Sequence, residues 1–202
     1  MDQTITIFDR RLVRRHRDRA ARGAGAMPHL FAEATERLAE RLEDMARRFP
    51  RALDLGCRGG ALATVLRGRG GIECLVQCDL SPAMARRAGA GGWPALAADE
   101  EALPFAEHAF DLVFSSLALH WVNDLPGALL QIRRSLRPDG LFLGALLGGG
   151  TLLELRAALL DAELAVDGGV SPRVSPFVDI RDAGNLLQRA GFALPVADAD
   201  TL

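Results

Sequence analysis

The sequence predicts an α/β protein built on a doubly wound, mostly parallel sheet covered by helices. Three observations predict it. Short apolar segments alternate with amphipathic ones along the 202 residues. The apolar segments are hydrophobic on both faces, as strands buried on both sides of a parallel sheet are. Acidic or glycine-bearing turns follow the first three of them, and such sheets bind ligands beyond the carboxyl ends of their strands.

The elements follow in order. Residues 9–22, DRRLVRRHRDRAAR, are dense in arginine. Two readings stay open for them: a solvated helical arm, or a lid whose arginines face an anionic ligand. Over 29–49, Leu30, Phe31, Ala34, Leu38, Leu42, Met45 and Phe49 recur at spacings of three and four. That predicts an amphipathic helix, stopped by Pro50. RALDL (51–55) is a short strand, followed by a glycine turn and a helix holding Leu62, Val65 and Leu66. The pattern repeats with a strand over 72–78 and a helix opened by Ser81 as N-cap and Pro82 in the first turn. Strands are expected over 94–98 and 110–116, then a helix over 125–136. RPDG (137–140) reads as a turn into a strand over 141–147. Thr151 and Glu154 form a capping box for a helix over 152–166. A helix over 179–191 ends on Gly191, and FALPVADA (192–199) is expected to be the last strand. One domain is expected over 1–202, with an N-terminal arm and helix over 1–49 and an α/β core over 50–202.

Composition excludes several classes. A net charge of −2 gives no bias toward nucleic acid or membrane. No apolar run reaches the roughly 18 to 20 residues of a membrane span. The N-terminus lacks the apolar region of a secretory signal, so a cytoplasmic location is expected. All 24 basic residues are arginine, which reads as the codon bias of a GC-rich, bacterial source. Cys57, Cys74 and Cys78 suggest neither a disulfide framework nor metal-ligand spacing, so no metal site is expected.

The residues after each strand carry the chemistry. LDLGCRGG (53–60) sets Asp54 before Gly56, Cys57, Arg58, Gly59 and Gly60. Glycines let a backbone approach a ligand closely, and the next helix N-terminus attracts negative charge. Asp79, with Leu80 beside it, lies nineteen residues beyond Gly60, where a carboxylate can accept both hydroxyls of a ribose. Asp99, in ADEEALPF with Glu100 and Glu101, can accept from an exocyclic adenine amine. The dinucleotide fingerprint G-x-G-x-x-G is broken by Cys57 and Arg58. An acid two residues before the first glycine is well placed for an ammonium group. S-adenosylmethionine therefore fits better than a dinucleotide. Gly59 is expected to carry any left-handed strain while Arg58 projects outward, toward the cofactor's carboxylate, a substrate or solvent.

ALDLGCRGG, QCDLSPAM, ADEEALPF, FDLVFSSLALHWVND and LRPDGLFLGALLGGGTLLELR resemble the successive motifs of the class I S-adenosylmethionine-dependent methyltransferases. IFDRRLVRRHRDRAA and SPRVSPF resemble the branch with the complex I assembly factor 5 type proteins and the malonyl-acyl-carrier-protein methyltransferase of biotin synthesis. The resemblance implies a Rossmann-like fold. It also implies that Asp54, Gly56 and Gly60 contact the methionine part, Asp79 the ribose and Asp99 the adenine, with Ser115 and Ser116 beneath the sulfonium. The candidate cofactor-binding set is Asp54, Gly56, Cys57, Gly60, Asp79, Leu80, Asp99, Glu100, Ser115 and Ser116. The family fold continues into a further strand beyond the point where this sequence stops, so a truncated chain or a homodimer covering the sheet edge is expected.

Methyl transfer needs a nucleophile held in line behind the methyl group, and a general base is optional. His120, in ALHWVND, is the candidate catalytic residue, with a loop histidine bonded to backbone as its other reading. The expected acceptor is a small molecule, an acyl carrier or a protein. The assembly-factor relatives imply a second activity, arginine hydroxylation. That reaction needs an oxidant, and the four histidines at 16, 29, 108 and 120 are scattered. A non-catalytic assembly protein retaining the fold is the third reading.

Overall fold

The computed structural model describes residues 6–23, 29–66 and 68–201. They fall into two compact units, Met1–Leu146 and Leu147–Leu202. In the first unit, α1 (Arg10–Ala21) and α2 (His29–Glu40) precede an alternation of strands and helices. It runs β1 (Arg51–Leu55), α3 (Ala61–Leu66), β2 (Cys74–Asp79), α4 (Pro82–Gly89), β3 (Ala95–Ala97), β4 (Phe110–Ser116), α5 (Leu125–Ser135) and β5 (Leu136–Ala145). The sheet order is β3-β2-β1-β4-β5, and every pairing is parallel. The strand order therefore reverses between β1 and β4, which opens a crevice at their carboxyl ends. Neighbours in sequence such as Ala52 and Leu53, or Leu112 and Val113, are all fully buried. Their side chains alternate across the sheet, so both faces are covered.

Leu38 of α2 and Leu62 and Leu66 of α3 bury against Ala52, Leu75, Leu112 and Phe114 of the strands. Ser81 caps α4, its hydroxyl accepting from the Met84 N–H at 3.1 Å. Two expectations are corrected here. The helix expected over 29–49 ends at Glu40, and turns carry Leu42 and Phe49 into the core. Apolar spacing survived there because burial, not helical phase, demands it. RPDG is also no turn before a new strand. Phe110 pairs with Leu136 and Leu112 with Leu141, so residues 137–140 bulge within β5, with Asp139 at φ +61°.

The second unit holds α6 (Leu153–Asp167) and α7 (Ile180–Arg189). Its helix start departs from the expected capping box: Leu152 stands at the cap with φ +56° and no side-chain bond. Glu163 of α6 instead organises the following loop. It accepts from Ser171 N and Oγ at 2.8 and 2.6 Å and from Arg173 Nε at 2.6 Å. The Ser171 hydroxyl bond leads in holding its carboxyl down to about 2. Residues 192–199 form no strand, which corrects the expected last one. No neighbouring strand among the described residues pairs with their backbone, and Leu194 and Val196 stay exposed. Among the described residues no helix is long and apolar enough to cross a membrane.

Candidate functional site

The site is built where β1, β2 and β4 end side by side. Leu55 pairs with Cys78 across β1 and β2, and Asp54 with Phe114 across β1 and β4. The glycine turn is tied to β2, with Gly56 and Cys57 both donating N–H to the Cys78 carbonyl at 2.8 and 3.0 Å. Gly56, at φ +79°, has no room for a side chain: a Cβ would collide with that of Ala118. At Gly60, φ +88°, a Cβ would stand 2.9 Å from Gln77 Oε1 and 3.1 Å from Ala88 Cα. These glycines bring backbone, strand and helix together as the motif requires.

Arg58 does not project outward. It takes a left-handed conformation itself, at φ +45°, beside Gly59 at +87°. Its guanidinium turns inward, with Nη2 donating to the Leu117 carbonyl at 2.6 Å and Cζ 4.2 Å from the centre of the Phe31 ring. Nε is buried with no hydrogen-bond partner among the described residues. Burial, and then Arg17, pull its pKa down to about 10. Asp54 lines the same small cavity, with Phe31, Thr35, Gly56 and Ser116. It is 2% exposed, and its Oδ2 also lacks a partner among the described residues. Burial, reinforced by Asp79, pushes its carboxyl up to about 8. A carboxyl that burial keeps protonated near neutrality and a guanidinium, both with unmet hydrogen-bonding capacity, thus line one cavity. That suits a ligand whose ammonium can draw off the Asp54 proton and whose carboxylate can meet Arg58.

Asp79, the last residue of β2, is fully buried. Its Oδ1 accepts from Ser81 N at 2.8 Å and from Arg17 Nη1 at 3.3 Å, and its Oδ2 from Arg58 N at 3.1 Å. Asp99 Oδ1 accepts from Glu101 N at 2.9 Å. Glu100 is fully buried between two guanidiniums, with Oε1 2.5 Å from Arg17 Nη1 and Oε2 on Arg10 Nη2. Arg10 also reaches Asp99 and donates to the Trp121 carbonyl at 2.8 Å. The pKa of each arginine is raised: burial, the largest influence, acts against the charge, but the combined pull of the carboxylates outweighs it.

The remaining candidates are placed as follows. Cys57 is buried, and burial, with Asp54 next, pushes its thiol well up, so it is inert as a nucleophile. Leu80 is half-buried between Asp79 and Ser81. Ser115 is buried with its Oγ unpartnered among the described residues, and Ser116 Oγ lies 3.0 Å from Thr35 Oγ1. His120 sits in a short turn, Leu119–Trp121, just past β4. Burial, then Arg58 and Arg17, hold its pKa down to about 4, so the imidazole is neutral near neutrality. Among the described residues no group of His, Cys, Asp and Glu has the make-up of a metal site.

The structure thus joins Asp54, Gly56, Cys57 and Ser116 around the cavity, and Asp79, Asp99 and Glu100 through the arginines of α1. Sequence reasoning missed Phe31 and Thr35. Their spacing of four on an amphipathic helix reads as core, and nothing local marks them as site residues. The arm combines the two readings: Arg11, Arg14, Arg15 and Arg19 are exposed as in a solvated helix, while Arg10 and Arg17 turn inward, onto the protein's own acids rather than onto an anionic ligand.

Comparison with known proteins agrees with this geometry. Residues 53–144 match a family described as a methyltransferase domain. The chain is 46% identical over 204 residues to the human mitochondrial arginine-hydroxylase NDUFAF5, covering 99% of this chain and 59% of that protein. The zebrafish protein of the same name is 45% identical, with 98% of this chain and 63% of the relative covered. The chain thus spans about three fifths of the length of these relatives. A malonyl-acyl-carrier-protein O-methyltransferase of Laribacter hongkongensis is 38% identical, with 96% and 68% covered. In fold, the chain is similar to a Haloferax volcanii methyltransferase solved with its Trm112 activator, at TM-score 0.64 and 20% identity, covering 93% of this chain and 77% of that one. A parallel sheet with its crevice at the β1/β4 switch, a glycine turn after β1 and relatives across nearly its whole length lead to one conclusion: the chain belongs to the class I S-adenosylmethionine-dependent methyltransferase family.

Proposed function

We propose that this chain binds S-adenosylmethionine in the crevice at β1, β2 and β4 and hydroxylates an arginine side chain, in keeping with the name arginine-hydroxylase that NDUFAF5 carries. The observation that supports cofactor binding is the cavity lined by Asp54 and Arg58, whose Oδ2 and Nε are buried and unpartnered among the described residues. Asp54 would hold the cofactor's ammonium and Arg58 its carboxylate, with Asp79 on the ribose and Asp99 on the adenine amine. Bound there, the cofactor supplies an activated methyl group on a sulfonium. The choice of an arginine substrate is supported by identity of 45 to 46% over 98 to 99% of the chain. Hydroxylation inserts one oxygen atom into a C–H bond. It takes dioxygen, two electrons from an external reductant and two protons, and the second oxygen atom leaves as water. The described residues group no ligands for an oxygen-activating metal, so the metal would have to be supplied from outside them.

Methyl transfer is the second reading, favoured by the malonyl-acyl-carrier-protein methyltransferase, of which the chain covers 68%. A carboxylate acceptor is already deprotonated, so the neutral His120 would position it rather than take a proton.

Two measurements test these readings. Asp79→Ala should weaken S-adenosylmethionine binding at least about tenfold by calorimetry, since each ribose hydroxyl loses a charged acceptor. Unchanged affinity rejects the ribose assignment. Mass spectrometry of an arginine peptide, incubated with cofactor, dioxygen, iron and a reductant, separates the activities. A gain of one oxygen supports hydroxylation and a gain of one CH2 supports methyl transfer. An unmodified peptide with cofactor bound rejects the arginine substrate. A malonyl-acyl carrier protein that then gains one CH2 supports the carboxylate methyltransferase, and one that stays unmodified favours a non-catalytic assembly role.

A further inference from the structure

Helix α1 is docked by charge rather than by an apolar face. Arg17 is its buried residue, at 5% exposure, while Leu12 is 47% exposed. Arg10 and Arg17 lie seven positions apart, two helical turns, and so project from one face. Between them they engage Asp79, Asp99 and Glu100, the acids at the ends of β2 and β3. The rest of the docking is also polar or edge-on. Asn123 Oδ1 accepts from Ile7 N and Phe8 N, both at 2.8 Å, and Asp18 Oδ1 accepts from Ser81 Oγ at 2.5 Å. The Phe8 ring meets Trp121 edge-on at 5.4 Å.

We propose that α1 is a gate over the nucleoside site, held shut by the carboxylates that the nucleoside needs. The inference rests on the cofactor reading above. In the closed arrangement, Ser81 N and Arg17 fill both lone pairs of Asp79 Oδ1, and Arg58 N fills one of Oδ2. A ribose presents two hydroxyl donors, so one of them must displace Arg17. That contact is the easier to release: Arg17 Nη1 lies 3.3 Å from Asp79 but 2.5 Å from Glu100. Arg17 Nη2 is buried without a partner among the described residues, which weakens the closed state further. Arg10 covers Asp99 in the same way, where the adenine amine would donate. The arm therefore trades against the ligand, and apparent affinity is reduced by the fraction of molecules that are closed.

Trypsin reads the gate directly, because α1 carries arginines at 10, 11, 14, 15, 17 and 19. Adenosine, which bears the ribose and adenine alone, should speed cleavage within α1 about threefold or more. Asn123→Ala loosens the arm away from the acids and should tighten adenosine binding about three- to tenfold. Asp18→Asn, toward the other end of α1, should act in the same direction. If adenosine binds but cleavage is unchanged or slower, or if neither variant binds more tightly, the gate is overturned and the nucleoside site stands. If adenosine and S-adenosylmethionine bind neither the parent protein nor the variants, both readings fall.

Discussion

Arg58 concentrates the residue-scale argument. A non-glycine side chain at φ +45° costs roughly 1 to 2 kcal/mol. The bond to the Leu117 carbonyl and the stacking on Phe31 offset it, and together they hold the guanidinium inside the cavity. Such strain at a cavity wall points to a role in binding. Arg58→Gly relieves the backbone and removes the cation. S-adenosylmethionine, with its carboxylate, should then bind about tenfold more weakly, while adenosine binds as before. Calorimetry with both ligands checks this: equal losses, or none for S-adenosylmethionine, reject the carboxylate assignment. The sequence shows that an arginine replaces a glycine here. It does not show which way the side chain turns, because that depends on Phe31 and Leu117, 27 and 59 positions away in the chain.

The elements that position the site are short strands and the turns after them. Their locations are legible in sequence because burial on both faces writes a continuous apolar run, as in FDLVFSS. The Ser81 cap is legible because its chemistry is local. The glycine turn is the element most sensitive to change. Gly60→Ala adds a methyl group against Gln77 and Ala88 at φ +88°. It should destabilise the fold by about 2 to 3 kcal/mol, read as a lower urea midpoint at constant slope. A loss under about 0.5 kcal/mol would mean that the turn relaxes at little cost. Where elements were misread, tertiary structure overrode pattern. Leu42 and Phe49 keep helical spacing beyond the end of α2, and RPDG is absorbed into β5 as a bulge.

At the scale of the whole molecule, Asp54 couples folding to pH. Its carboxyl is raised from 3.8 to about 8 by burial and then by Asp79, so the folded protein holds this proton more tightly than the unfolded chain does. The resulting stabilisation is fully present below about pH 4 and is lost as pH rises through about 8. Asp54→Asn removes this dependence. The stability of the parent protein relative to the variant should therefore fall between about pH 5 and about pH 8, measured by urea unfolding. A constant difference across that range would show that Asp54 ionises normally. A ligand ammonium beside Asp54 would draw the proton off, so cofactor binding and the pH dependence of folding share one group.

The sequence by itself determined the α/β class, the succession of acidic and glycine turns after the strands, and the acids at 54, 79, 99 and 100 as candidates. It could do so because burial and turn geometry act on neighbouring residues and leave periodic or local marks. Only the tertiary structure decided the order of the strands in the sheet and what those acids face. Arg10 and Arg17 reach Glu100 across 90 and 83 positions, and Arg58 turns inward onto Phe31. Such contacts depend on how distant segments are brought together in space, and a charged side chain carries no local mark of the partner it will meet.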